Sequence, residues 1–335
     1  MKRSAALPVI ILAAAPIAVL LTLILSISYG TKSIPFSQIA DTFMHWDSGN
    51  VDHQIIRHAR LPRVIGALLV GAFLAVSGAL MQGMTRNDLA SPSIMGISDG
   101  SAFAVTVMMV VAPYSSMMAM IGASFAGSAL AIVIVFGLAS LLPGGMSPVR
   151  LAILGTLIGT FLSSVSSAIA MYFQVSQNVS FWYNSRLHQL DPKLIWLAVP
   201  FAVVGLALAI WLSKPVTIFS LGDEVAVSLG QKTTQVKLLT TVSVVLLTGI
   251  SVAIAGKIGF VGLIVPHITR FLVGIDYKWV VPCSAVLGAV FLGLCDVASR
   301  YLGNPFEMPI GVVTGMLGVP FFLYLIRTRG GESNR

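Results

Sequence analysis

The sequence predicts an all-α integral membrane protein with about ten transmembrane helices. Three observations carry that prediction. Of the 335 residues, 56% are hydrophobic and only 10% are charged, whereas soluble domains carry roughly 25% charge. Mean hydropathy is +0.93, and so apolar a chain is not disordered. The apolar residues also arrive in runs of about the 20 that a bilayer-spanning helix needs. At this length a soluble chain would be about two domains. Charge this sparse cannot cover them with a wetted surface, which excludes a soluble enzyme.

The first run, Leu7 to Ser28, follows Lys2 and Arg3. It is too long for the apolar region of a signal peptide and lacks a clear small-residue cleavage site. It is read as a retained first span with the amino terminus inside. Further runs cover 64–84, 93–112, 117–141, 151–173 and 195–213. Residues 238–275 form one run, too long for a single span and broken by Gly256, Lys257, Gly259, Gly262 and Pro266. It divides into a span at 238–257 and a short, broken one at 259–275. The last runs are 279–299 and 308–326. Ten spans place both termini inside; nine result if the broken piece does not cross. The whole of 1–335 is one transmembrane domain, with longer connections at 29–63 (outside) and 214–236 (inside).

The formal net charge is +8. No block of basic residues points to nucleic acid; the cations sit singly at the ends of apolar runs. Of the 20 lysines and arginines, twelve fall inside and eight outside, a weak bias in the expected direction. The outer set is Lys32, Arg57, Arg60, Arg63, Arg186, Lys193, Lys257 and Arg300. Cys283 and Cys295 share one run. In a helix they stand ~18 Å apart along the axis, beyond the ~7 Å that a disulfide tolerates.

Catalytic signatures are missing. The nearest approach to a phosphate loop, Gly249 to Ile258, has its first glycine too early and Ile258 where a hydroxyl should hold magnesium. The five histidines form no metal-ligand spacing, and no nucleophile motif is present. The expectation is a chain with no cofactor, no metal and no enzymatic step of its own.

Three constellations remain. In the inner connection, Gly222 and Gly230 bracket a short helix from Asp223 to Leu229. Asp223 and Glu224 lie in its first turn, where they suit the helix dipole. Val225 and Leu229 form an i, i+4 apolar stripe flanking Ala226. So short a helix must pack on something, either its own domain or a partner's groove. At the outer face, Arg57, Arg60 and Arg63 fall at i, i+3, i+6, although Pro62 interrupts a regular helix. Asp296 and Arg300 form an i, i+4 pair. These cations either anchor lipid headgroups or present a basic landing patch to an acidic partner. Within the membrane, Asp99 either lines a path or caps the helix after it. Lys257, Arg270 and Glu307 lie near span ends and are expected to snorkel, and His267 to pack. No chain of buried carboxylates suggests a proton relay. GxxxG pairs at Gly155/Gly159 and Gly311/Gly315 suit close helix packing.

Several long stretches resemble a known family. LPRVIGALLVGAFLAVSGALMQGMTRNDLASPSIMGISDG, IGFVGLIVPHITRFLVGIDYKWVVPCSAVLGAVFLGLCDVASR and EMPIGVVTGMLGVPFFLYLI are similar to the permease subunits of iron-siderophore, haem and vitamin B12 ABC importers. SLGDEVAVSLG resembles that family's coupling segment. Asp88 departs from the usual Asn-Pro-Leu. SFWYNSRLHQL, DHQII and GNPFEMPIG resemble the branch that carries ferric bacillibactin and related catecholate siderophores in Gram-positive bacilli. The resemblance implies the type II importer fold in a bacterial plasma membrane. Its partners would be a second permease subunit (identical or a paralogue), cytoplasmic ATP-binding subunits, an extracytoplasmic substrate-binding protein and a ferric siderophore. It assigns docking of the binding protein to Arg60, Arg63 and Arg300. ATPase coupling falls to Gly222, Asp223, Glu224, Val225, Ala226, Leu229 and Gly230. The inner gate falls to Ser147, Pro148 and Val149, and the path lining to the fifth and tenth spans.

Overall fold

The structure, a computed structural model, describes residues 6–330 except 31, 94, 143–147, 185–186, 188–189, 191 and 304–306. Among the described residues it is helical throughout, with no strand. In chain order the helices are α1 (Ala6–Ser28), α2 (Phe36–Met44), α3 (Val51–Ile55), α4 (Leu61–Thr85), α5 (Ile97–Val111), α6 (Met117–Leu141), α7 (Pro148–Tyr172), α8 (Ser176–Asn184), α9 (Pro192–Ser220), α10 (Asp223–Ser228), α11 (Thr233–Ala255), α12 (Val261–Val273), α13 (Tyr277–Leu302) and α14 (Ile310–Gly330). Among the described residues, seven segments are long and apolar enough to cross a membrane: α1, the rod Val51–Thr85, α6, α7, α9, α11 and α13. Three apolar helices are shorter, namely α5, α12 and α14. A helix thus lies on each of the ten apolar runs.

The two long connections are largely helical. Residues 51–60 are fused to α4, so the rod Val51–Thr85 runs 35 residues, where Pro62 was expected to interrupt. The reason is a π-helical turn at Ile56–Arg60. The Leu61 N–H bonds to the Ile56 carbonyl five residues back. This wider turn accommodates the ring and missing donor of Pro62, which sits in the first turn of α4. On the inner side, α9 continues to Ser220 and α11 begins at Thr233, leaving only α10 and its two glycine corners between them. Helix α8 answers to no sequence signal above.

Helix α4 is the axis of the fold. It packs against α1, α9, α11, α12 and α13. Two close crossings fix it. A Cβ on Gly71 would collide with the carbonyl of Gly288 on α13, and one on Gly78 with the carbonyl of Gly262 on α12. The second crossing solves a local problem. Pro266 has no N–H to give the Gly262 carbonyl four residues back. The side-chain amide of Gln82 donates to that carbonyl at 3.4 Å and to Leu263 O at 3.3 Å.

Helices α5, α6 and α7 pack together, and α6 also meets α11. Hydroxyl pairs tie them: Ser101 to Ser124 at 2.7 Å and Thr106 to Ser166 at 2.7 Å. Interhelical hydroxyl bonds of this kind are ordinary glue in lipid. Gly155 and Gly159 of α7 close on Gly96. Gly315 of α14 faces open space, so only the first GxxxG pair is a packing seam here. Cys283 and Cys295 are free and buried. Helix α1 leaves Val9, Ile10, Ile17, Leu20 and Leu21 exposed, a surface suited to hydrocarbon and not to water.

Candidate functional site

Charged side chains gather at the two ends of the bundle. At the first end stand the start of α4, the end of α13, the segment before α14 and the turn between α11 and α12. Asp296, one turn before Arg300, is fully buried. It accepts from Arg63 Nε at 2.8 Å and from Arg300 Nη2 at 2.8 Å. Arg63 Nη1 also donates to Glu307 at 2.6 Å. A buried carboxylate needs such partners, because an isolated charge there is very costly.

The rest of Arg300 faces α1. Its Nη1 donates to the carbonyls of Ser26 and Tyr29, both at 2.8 Å. Arg60 donates to the carbonyls of Ile27 and Lys32, and to Ser28 O at 3.3 Å. Helix α1 carries no basic residue in its own last turn. Its unpaired terminal carbonyls are instead satisfied by two arginines distant in sequence. Arg60, Arg63 and Arg300 are 7%, 8% and 7% exposed. So enclosed, they present neither an exposed basic patch nor free headgroup anchors. The widened π turn separates Arg57, which stays exposed and lies 4.6 Å over the Trp46 ring, from the two buried ones. Lys32, bonded to Asp52 at 2.5 Å, is a second exposed cation near Arg57 in the sequence.

A cavity of about 710 Å³ opens beside this network, walled by Arg63, Tyr183, Lys257, Phe260, Glu307 and the first turn of α14. Burial and then the neighbouring Asp99 carboxylate raise the phenol of Tyr183 above its ordinary value. Lys257 Nζ meets Asp99 at 2.5 Å. Asp99 therefore does not cap α5: the cap position is Gly96, with no side-chain bond. Lys257 and Glu307 do not snorkel to lipid but are paired at the cavity. Arg270 is paired too, with Asp88 at 2.9 Å, because α12 brings it against the turn after α4. That ion pair gives the departure at Asp88 a structural role that the sequence did not reveal.

At the opposite end, α10 is seated by its own domain and open beyond it. Asp223 meets Arg86 at 3.2 Å and Lys237 at 3.3 Å. Arg86 ends α4 in the left-handed region, with φ +50°. Gly222 and Gly230 turn the chain at φ +136° and +76°, where side chains are strained. Ala226 is buried, while Glu224, Val225, Val227 and Leu229 are exposed. The helix packs on its own domain along one edge, and its other, apolar edge is bare. A cavity of about 390 Å³ lies alongside, between Gln82, Arg86, Asp88, His267, Arg270 and Leu221. Of the residues expected at the gate, Pro148 and Val149 begin α7, and Ser147 lies outside the described residues.

The partnerships of Asp99, Asp88 and Glu307 were not found from sequence. They join residues as far apart as Arg63 and Glu307, separated by 244 positions, and no local spacing records such a pair. The Asp296/Arg300 spacing was the one visible signal.

The profile of the FecCD transport family matches residues 18–328. The chain belongs to the FecCD transport family. Among FecCD relatives, the iron-uptake system permease FeuB of Bacillus subtilis is 58% identical over 97% of both chains. The iron(3+)-hydroxamate import permease FhuB of the same organism is 49% identical, covering 90% of this chain and 79% of that protein. The ferric enterobactin permease FepD of Escherichia coli is 35% identical over 92% of each. A solved ABC transporter in an inward-facing conformation, described as of metal-chelate type, superposes with TM-score 0.80 at 27% identity. The match covers 96% of this chain and 99% of that one. As a FecCD permease the chain is a multi-pass membrane subunit of an ABC transporter, without enzymatic activity of its own.

Proposed function

We propose that this chain is one permease subunit of an ATP-driven importer that moves a ferric siderophore, a catecholate chelate, into the cytoplasm. The observation that carries the reading is the near full-length similarity to an iron-uptake permease, on a fold whose inner face bears a braced, half-bare lever at α10. Its ten apolar helices cross the membrane, α12 as the short broken one, with both termini inside. Two cytoplasmic ATP-binding subunits, a second permease (the same chain or a paralogue) and an external binding protein complete the assembly.

The apolar edge Val225–Val227–Leu229 seats on the ATP-binding subunit. Movement of α10 passes through Asp223 to Arg86 at the end of α4 and to Lys237 at the start of α11. The bundle then shifts between two discrete arrangements, and the partner's chemical step becomes a change of population. Ser147, Pro148 and Val149 form the inner gate. At the outer rim, Arg60, Arg63 and Arg300 serve docking from within, by holding the end of α1 and of α13 in place. Exposed Arg57 and Lys32 offer the charge that an acidic binding protein meets.

An ion-coupled carrier would need a titratable carboxylate or cation site in the bundle. The fully buried Asp296 is already held between two guanidiniums, which makes it a structural counterion. The cargo is tested by growth of a deletion strain under iron limitation on single chelates. Catecholate alone should fail to support growth; unchanged growth on catecholate with loss on hydroxamate or haem would reassign the cargo within the family.

A further inference from the structure

The cation–carboxylate pairs around the outer cavity fall into two tiers. Asp296 is fully buried between Arg63 and Arg300, which are themselves nine-tenths buried. This tier is scaffold. The second tier is half-exposed: the Lys257 side chain is 36% accessible and its partner Asp99 23%. Among the described residues, the cavity wall carries the cations Arg63 and Lys257. Arg63 is held by two carboxylates, so Lys257 is the one that can change partners at modest cost.

The backbone presents Lys257 deliberately. The turn between α11 and α12 opens at Gly256 with φ +75° and closes at Phe260 with φ +67°. A bulky residue in the left-handed region is an outlier, kept only where its surroundings over-determine it. Here they do. The Phe260 ring fills the space where a Cβ on Gly318 of α14 would stand. A Cβ on Gly256 would strike the Tyr183 backbone of α8. Lys257 Nζ also lies 5.9 Å from the centre of the Tyr183 ring. The turn is thus clamped between α8 and α14, and its one charged side chain reaches the cavity toward α5.

A ferric tris-catecholate is an anion, because its phenolate charges outnumber those of the iron. An unpaired lysine would bind such a cargo and retain it. A lysine already holding a carboxylate can exchange it for the cargo's oxygens and take it back afterwards. We infer that Lys257 is a cargo-contacting, charge-selecting residue of the outer cavity, and that Asp99 is the placeholder it releases when a polyanionic ferric chelate enters. This inference rests on the importer reading above.

The test uses the assembled complex in liposomes, with ATP inside and binding protein loaded with ferric tris-catecholate outside. Iron uptake and ATP hydrolysis are both measured. Lys257→Met should lower uptake roughly tenfold, the loss of one charged contact, while basal hydrolysis persists. Lys257→Arg, which keeps the charge, should retain most uptake. The decisive variant is Lys257→Met with Asp99→Asn, which leaves no unpaired charge and so preserves folding. Uptake should stay low in it, because the cargo contact is still missing. Asp99→Asn alone, which takes the placeholder from Lys257, should lower the chelate concentration for half-maximal rate and also lower the maximal uptake rate, because release is slowed. Recovery of wild-type uptake in the double variant would overturn the inference, since Lys257 would then be only a structural partner of Asp99. Failure of the importer reading looks different: the wild-type complex itself would move no ferric chelate, or would move it without ATP.

Discussion

At the scale of single residues, the decisive contrast is between charges that are exposed and charges that are enclosed. Asp296→Ala leaves Arg63 and Arg300 enclosed beside an empty site, and losing one partner of such a pair costs about 3–5 kcal/mol. Thermal unfolding in detergent should therefore show a large loss of stability. Arg57→Ala, at an exposed position, should change the same melt by no more than about 0.5 kcal/mol. Its effect belongs to docking: with Lys32→Glu, Arg57→Glu should weaken capture of the binding protein while the permease still folds. Equal affinity would remove the rim from that role. The sequence made these residues conspicuous but misjudged their placement. The i, i+3, i+6 spacing of Arg57, Arg60 and Arg63 assumes a regular turn. The π-helical stretch adds a residue per turn, and that divides the set. Nor does any sequence pattern announce that the end of α1 lacks a cap of its own and will draw guanidiniums from α4 and α13.

At the scale of elements, two helices make separate predictions. In α10, Glu224→Lys reverses a charge on the bare edge and touches none of the anchoring pairs. Uptake should fall while the permease keeps its melting temperature; normal uptake would mean that α10 only packs on its own domain. In α4, Gly78→Leu places a side chain against the Gly262 carbonyl and should abolish recovery of folded protein. Gly315→Ala, with nothing within 4 Å of the added methyl, should be tolerated. The apolar runs and the glycine–proline break after residue 255 were legible because hydropathy and the backbone limits of glycine and proline act locally. The α10 corners were legible for the same reason, through Gly222 and Gly230. The two seams that fix α4, Gly71 with Gly288 and Gly78 with Gly262, were not. Each joins one glycine from each of two helices, and neither helix carries a GxxxG pair to advertise it.

At the scale of the whole molecule, the division of labour is the testable claim. The purified chain should hydrolyse no ATP, and the full complex should hydrolyse it faster with loaded binding protein. Robust hydrolysis by the isolated chain would refute this account. The ten-crossing arrangement predicts that cysteines placed at Lys32 and Lys232 are labelled from opposite sides of the membrane. A further consequence follows from the reach of the Arg63–Asp296 pair, which spans 233 residues of sequence. At about 5–20 residues per second, the ribosome delivers the acid roughly 10–50 s after the base. For that interval and a little beyond it, the young chain carries a guanidinium whose two carboxylate partners, Asp296 and Glu307, have yet to be synthesised. Nascent chains stopped before α13 should therefore be recognised as unfinished and degraded, so that the late carboxylate acts as the signature of a completed protein.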